Sequence, residues 1–339
     1  MSRAGIDALS AAWVARGAAG FLEAPAEGGP RTGAIRLFYG PGEVHPRDPL
    51  SGWAVDGYGE FLWVTEWEGA VAPASLEEIR SATRAFYSPK GYRGAVVLSR
   101  PRQGIPDHPQ PLWGETPPES FTVVERAGGR EMRFEIRLLE SRHPGLFLDH
   151  APLRERLACW DRLAGRKVLN TFAYTGSLSV AAWAGGASEV LTLDLSRPTI
   201  QWAERNARLN AVDPARSRFF YGDCFEELPR LARRGELFDV VISDPPSFSR
   251  GRKKTFSTQK DLVELHRLLF SVLRSGGLLV TSINSANVEW EKYEREVRMA
   301  AREAGRALQL LERLEQPATF PSHPANPRSR YLKGFIFES

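Results

Sequence analysis

Val168-Leu-Asn-Thr-Phe-Ala-Tyr-Thr-Gly176 starts as an apolar strand, ends in a loop with a single glycine, and opens onto the helix-like run Ser177–Trp183. The alternation continues on its C-terminal side. Glu189–Asp194 precedes Pro198–Asn210, Arg218–Tyr221 precedes Cys224–Arg233, and Asp239–Ser243 precedes Leu262–Leu273. Gly277–Ile283 is followed by a helical run at Trp290–Ala304, then by strand-like runs near Leu308–Leu314 and Tyr331–Phe337. Strands alternating with helices predict an α/β fold, a Rossmann-like doubly wound parallel sheet with ligands at the carboxyl ends of its strands. The last two runs flank a Pro-rich loop and predict an antiparallel hairpin at one edge.

The strand-end loops carry the chemistry. A dinucleotide site wants G-x-G-x-x-G, because a pyrophosphate needs close backbone approach. Only Gly176 is present, which disfavours NAD or FAD and leaves room for a cofactor without phosphates. The second strand ends at Asp194, where an acid can accept from both ribose hydroxyls of a nucleoside. The third ends in Gly222-Asp223-Cys224, where a carboxylate can meet an adenine amino group. Asp194 and Asp223 read equally well as helix N-caps. The fourth loop, Ser243-Asp-Pro-Pro-Ser-Phe248, is more specific. Two successive prolines stiffen it and remove backbone donors. It then presents Asp244, the faces of Pro245 and Pro246, and the ring of Phe248, a surface suited to a flat base. In this order the four loops point to S-adenosylmethionine.

The 339 residues suit two domains. The chain is 42% hydrophobic and 25% charged, which excludes general disorder and coiled coil. No apolar run approaches the roughly 20 residues of a membrane span. Cys159 and Cys224 are its two cysteines, which excludes a disulfide framework and a Cys-rich zinc site; with no secretory leader pattern, the expectation is a cytoplasmic protein. Residues 1–150 hold 16 Lys+Arg against 19 Asp+Glu, a net of −3, and residues 151–339 hold 29 against 22, a net of +7. The basic half suits a polyanion such as RNA; an Arg-rich solvated surface explains the same numbers.

Residues 1–150 hold 14 of the 24 prolines. Strands are predicted at Ala34–Tyr39, Phe61–Trp67 and Gly94–Ser99, a helix over Ser75–Tyr87, and a hairpin from Phe121–Glu125 and Met132–Leu138 around Gly128-Gly129. This half reads as a smaller α+β domain at 1–150, expected to dock the RNA substrate, before a methyl-transfer domain at 151–339.

At these residues the chain resembles the bacterial large-subunit rRNA methyltransferases of the RlmI and RlmK type, with a class I methyltransferase fold. The matching stretches are Pro144-Gly-Leu-Phe-Leu-Asp-His150 with Arg154, Asn170–Gly176, Asp194-Leu-Ser196, Gly222-Asp-Cys224, Asp244-Pro-Pro-Ser-Phe248 and Ser322-His-Pro…Tyr331-Leu-Lys-Gly334. The resemblance implies that Phe147, Asp149 and Arg154 lie over the cofactor. It adds Asn170, Phe172, Tyr174, Gly176, Leu195, Ser196 and Cys224 to Asp194, Asp223 and Asp244 as cofactor-binding candidates. Residues near 120–150 look like the small linker domain of the family, and its PUA-like module is not recognisable before them.

The two types differ in mechanism. Methylating C5 of cytosine needs a Cys nucleophile at C6. In the cytosine members that Cys follows the fifth strand, where this chain reads Val280-Thr-Ser-Ile-Asn-Ser-Ala-Asn287. The resemblance places Asn284 where the guanine-N7 type has an Asn, and N7 carries its own lone pair. Guanine N7 is therefore the expected target. A base amino group, cytosine C5, or a catalytically silent RNA-binding assembly factor are the alternatives. Arg250, Arg252, Lys253 and Lys254, with the rings of Phe248 and Phe256 and with Lys260, are expected to grip RNA phosphates and stack bases. Arg328 and Arg330, beside His323, form a second basic loop. No metal site is expected; His323 lacks a second ligand at suitable spacing. The partner expected is rRNA or a ribosomal precursor particle, with the enzyme a monomer or homodimer.

Overall fold

A computed structural model describes residues 3–18, 20–22, 30–69, 73–101, 103–104, 108–140, 142–250 and 255–339. The chain divides into two units. One comprises residues 1–125, 133–150 and 317–330; the other comprises 126–132, 151–316 and 331–339. The Pro-rich loop 317–330, which carries Arg328 and Arg330, thus packs within the first unit.

The first unit contains α1 (Arg3–Ala18), β1 (Ala34–Tyr39), the short α2 (Gly40–Glu43), β2 (Trp53–Tyr58), β3 (Phe61–Trp67), α3 (Leu76–Tyr87), β4 (Gly94–Arg100) and β5 (Gln110–Gly114). The strands form a sheet in the order β1-β2-β3-β4-β5. Helix α3 starts where the sequence predicts. The Ser75 hydroxyl accepts the Glu78 N–H while Glu78 reaches back to the Ser75 N–H, a capping box. Its Ile79, Ala82 and Phe86 are buried with Leu37, Val55 and Val64 of the sheet. Strand β2 carries Asp56 in its buried interior, which the Arg36 guanidinium neutralises through two hydrogen bonds of 2.6 and 2.8 Å.

The hairpin of β6 (Phe121–Ala127) and β7 (Arg130–Ile136) turns at Gly128 and Gly129, with φ of 54° and 78°. Two successive positive φ values are what a two-residue hairpin turn of this hand needs. The Gly-Gly reading of the sequence holds here.

The second unit is the doubly wound sheet. Its elements are α4 (Ala151–Ala158), β8 (Lys167–Thr171), α5 (Ser177–Ala184), β9 (Glu189–Asp194), α6 (Arg197–Leu209), β10 (Ser217–Tyr221), α7 (Cys224–Arg233), β11 (Phe238–Ser243), β12 (Phe248–Arg250), β13 (Thr255–Ser257), α8 (Leu262–Val272), β14 (Leu273–Asn284), α9 (Trp290–Glu303), β15 (Gln309–Glu315) and β16 (Leu332–Glu338). The sheet order is β10-β9-β8-β11-β14-β16-β15. The first five strands are parallel and the last two antiparallel, so both the parallel core and the edge hairpin are as predicted. Strand order reverses between β8 and β11, the crevice where such sheets bind ligands. Strands β8, β9 and β11 are buried on both sides, which is why they read as apolar runs rather than alternating ones, whereas the edge strand β10 is half-buried to exposed. Leu169, Leu191 and Leu193 of the sheet share one core with Leu228, Leu265, Leu269 and Val297 of α7, α8 and α9. Among the described residues no helix is long and apolar enough to cross a membrane.

The segment after the Asp-Pro-Pro loop departs from the sequence reading. It folds into the two-stranded ladder β12–β13, in which Ser249 pairs with Phe256. Phe256 is 1% exposed and packs 6.0 Å from Phe172 and 5.6 Å from Phe225. A ring so buried cannot stack an RNA base; it fills the core behind two strand-end loops. Phe256→Ala is expected to lower the unfolding free energy by about 3–5 kcal/mol in chemical denaturation. A loss under about 1 kcal/mol would show that the ladder does not belong to the cooperative core.

Candidate functional site

The loops after β8, β9, β10, β11 and β14 gather the predicted residues of the second unit. The first is a tight bend. Phe172 and Tyr174 both take left-handed backbone, with φ of 55° and 50°, and Gly176 follows at 75°. For residues with a Cβ this conformation costs roughly 1–2 kcal/mol each. The neighbouring carboxylate offsets the cost. Asp194 Oδ2 accepts the Tyr174 N–H at 2.8 Å, while Oδ1 accepts the Ser196 N–H at 2.9 Å and the Thr199 hydroxyl at 3.1 Å. Gly176 has its own reason: a Cβ there would stand 2.8 Å from the Cβ of Ala203 on α6.

Ser196 is the N-cap of α6 and Asp223 the N-cap of α7, whose Oδ1 accepts the Phe225 N–H at 2.9 Å. The capping role of Asp223 is therefore real. A carboxylate oxygen has two lone pairs, so capping leaves acceptor capacity at Asp223 and at Asp194. Leu195, 42% exposed, and Asp223 line a cavity of about 380 Å³ with Phe220, Tyr221 and Glu226. Cys224 is buried at the start of α7, and burial pushes its thiol well above the ordinary range.

The fourth and fifth loops are tied to each other. The Ser282 hydroxyl donates to Asp244 Oδ1 at 2.6 Å, and the Ser247 hydroxyl donates to the Asn284 carbonyl. Pro245 is buried, while Pro246, Phe248 and Asn284 are exposed, with Phe248 at 55%. Lys333 is buried on β16 and donates to the Ser285 carbonyl at 3.0 Å, holding the exit of β14.

Two buried polar atoms bear on whether a cofactor fits. Asn170 donates its amide N–H to Ser179 at 2.9 Å, but its Oδ1 has no partner, and neither has the Ser243 hydroxyl. A buried acceptor left unpaired costs about 1–3 kcal/mol. The ammonium and hydroxyl donors of S-adenosylmethionine are of the kind that would satisfy one. The orphaned acceptor and the rigid acidic loop pair fit that group.

The remaining predicted residues divide. Phe147, 36% exposed, and Asp149, 6% exposed, belong to the first unit, where Phe147 lies 5.2 Å from His143. Arg154, fully buried on α4, belongs to the second. Arg250 ends β12, and Arg252, Lys253 and Lys254 lie outside the described residues. Arg328 and Arg330 are exposed in the first unit. Sequence reading missed Thr199, Ser247 and Ser282, which hold the carboxylates and the acceptor loops. Ser282 had one usable signal: it sits two residues before Asn284, on the same face of the strand.

A family model described as S-adenosylmethionine-dependent methyltransferase matches residues 36–337. A relative from Aeromonas hydrophila named ribosomal RNA large subunit methyltransferase I is 33% identical over 290 residues, which is 85% of this chain and 72% of that one. A solved methyltransferase complexed with SAH superposes with a TM-score of 0.81 at 26% identity, covering 99% of this chain and 81% of the other. A SAM-dependent methyltransferase from Streptococcus mutans gives 0.80 at 25% identity, with the same coverage. From the strand-end loops, their fit to the cofactor and the length matched, the chain belongs to the S-adenosylmethionine-dependent methyltransferases.

Proposed function

We propose that this chain methylates a base of large-subunit ribosomal RNA at an atom that carries its own lone pair, guanine N7 first. The supporting relative is named for large-subunit rRNA. The observation that carries the choice of atom is the acceptor end itself: Asp244, Pro246, Phe248 and Asn284 stand there without a thiol. Attack on cytosine C6 needs a cysteine at that end. Cys224 is buried with its thiol pushed up. Cys159 follows α4, in the segment before β8, and its Sγ lies against Gly128 of the β6–β7 turn. Neither serves as the nucleophile.

S-adenosylmethionine, when bound, supplies an electrophilic methyl group and a thioether leaving group. The chain's own part is to hold and align. In this reading Asp194 accepts from the ribose hydroxyls and Asp223 from the adenine amino group. Arg154, Asn170, Phe172, Tyr174, Gly176, Leu195, Ser196 and Cys224 complete the cofactor's surroundings within the second unit. Pro245 and Pro246 form a stiff floor, Phe248 stacks the base, and the Asn284 amide donates to its edge. Alignment alone is worth several orders of magnitude when the acceptor already has a lone pair. The first unit, with Arg328 and Arg330, docks the RNA. A base amino group is the second reading, favoured by the Asp244 carboxylate, which can accept from an amine.

Labelled S-adenosylmethionine with ribosomal subunits or naked rRNA, followed by nucleoside mass spectrometry, tests this. Label in large-subunit rRNA recovered as 7-methylguanosine is the expected result. Recovery as 5-methylcytidine would overturn the choice of atom, and no label in any RNA would overturn the function.

A further inference from the structure

Two His-Pro turns face each other in the first unit. In His45-Pro46-Arg47 the Arg47 N–H donates to His45 Nδ1 at 3.2 Å. In His323-Pro324-Ala325 the Ala325 N–H donates to His323 Nδ1 at 3.1 Å. The rings meet edge to face, with centroids 5.9 Å apart and an interplanar angle of 90°. The segments are also tied by Asn326, whose amide donates to the Pro41 carbonyl at 2.9 Å. His45 is exposed and His323 half-buried.

This geometry fixes the chemistry on offer. An Nδ1 that accepts a backbone N–H has its lone pair engaged, so a neutral ring carries its hydrogen on Nε2. Neither Nε2 has a hydrogen-bond partner among the described residues. The pair therefore presents two N–H donors, not two lone pairs, which suits an anion and is wrong for a metal ion. The surroundings agree. Arg47 is exposed beside His45, and the His323 N–H binds the Ser329 hydroxyl between exposed Arg328 and Arg330. The acids nearest in sequence are engaged elsewhere: Glu43 with Arg16 and the Tyr39 N–H, Asp48 with the Leu50 N–H.

We propose that the paired imidazoles of His45 and His323, flanked by Arg47 and Arg328, form a docking surface for the phosphodiester backbone of the RNA substrate. This rests on the RNA methyltransferase reading above and gives the first unit a specific part in it. Neutral N–H donors add bonds without releasing counterions, whereas each arginine on a phosphate adds to the salt dependence.

The test measures binding of a large-subunit rRNA fragment by fluorescence anisotropy over a range of salt, for the wild type and two double variants of the full chain. In buffer at about pH 8, above the ordinary imidazole range, H45A/H323A is expected to bind about tenfold more weakly with an unchanged salt slope, as two lost hydrogen bonds predict. R47A/R328A is expected to bind more weakly and to flatten the slope of log K against log salt by about 1 to 2. His45, Arg47 and Arg328 are exposed and His323 is half-buried, so a melting transition that stays cooperative and close to that of the wild type checks that both variants fold. If the wild type labels and binds rRNA while both variants keep its affinity and slope, the surface is overturned. If the wild type neither labels nor binds rRNA, the reading beneath the surface fails, and the surface with it.

Discussion

Asp194→Ala is expected to weaken S-adenosylmethionine binding by about 100-fold or more in calorimetry, with the protein still folded. Two losses add. The first is direct: a carboxylate that accepts ribose hydroxyls makes charge-assisted hydrogen bonds of about 1.5–3 kcal/mol. The second is preorganisation. Asp194 bonds the N–H of Tyr174 at 2.8 Å, and Tyr174 sits at φ 50° in a bend that also holds Phe172 at 55°. Without the carboxylate the Tyr174 N–H loses its acceptor, the left-handed bend is less well held, and binding must re-form it. Together the losses reach about 3 kcal/mol, which is roughly 100-fold. Asp194→Asn keeps a neutral acceptor and should fall between the two. Wild-type affinity in Asp194→Ala would remove this residue from the cofactor site.

The sequence carried the inner strands β8, β9 and β11 because both of their faces are buried, so that each reads as a nearly unbroken apolar run. It carried Asp194, Asp223 and the Asp-Pro-Pro loop because a doubly wound sheet sends its carboxyl ends to one edge. The first unit was legible where local chemistry decides, at the Ser75 capping box and the Gly128-Gly129 turn. It was illegible where a distant partner decides. Strand β2 holds Asp56 and Gly57; the first is tolerable only because Arg36 meets it, and the second because a Cβ there would lie 2.6 Å from the Tyr92 hydroxyl. Strand β5 contains Pro111, acceptable because β5 is the edge of its sheet. Helix α1 buries Leu9 and Ala12 but leaves Val14 64% exposed, so its apolar stripe is weak. Phe256 shows the same limit at the candidate site. Within a run of cations an aromatic ring reads as a base-stacking partner, and only the three-dimensional neighbours, Phe172 and Phe225, assign it to the core.

Asp244 separates the two candidate acceptors. Asp244→Ala removes the partner of the Ser282 hydroxyl, one of the two bridges that tie the β11 loop to β14. A buried hydroxyl is left unpaired and the base clamp loses its frame. Misplacing the acceptor by about 1 Å costs on the order of 100-fold in rate, so turnover on rRNA should fall by about 100- to 1000-fold. Affinity for S-adenosylmethionine should change far less, because the Asp194 loops remain intact. Asp244→Asn is the discriminating variant. Its amide oxygen still accepts from Ser282, so the frame survives, but the negative charge is gone. Guanine N7 carries no hydrogen, and its methylation asks no residue to accept a proton. A base amino group must shed one, and a carboxylate beside it helps where an amide does not. Single-turnover kinetics of Asp244→Asn should therefore stay within about tenfold of wild type for N7 transfer, the usual gain from a general base being about 100- to 10,000-fold. A loss as deep as that of Asp244→Ala would instead assign the methyl group to an amine and make Asp244 the proton acceptor.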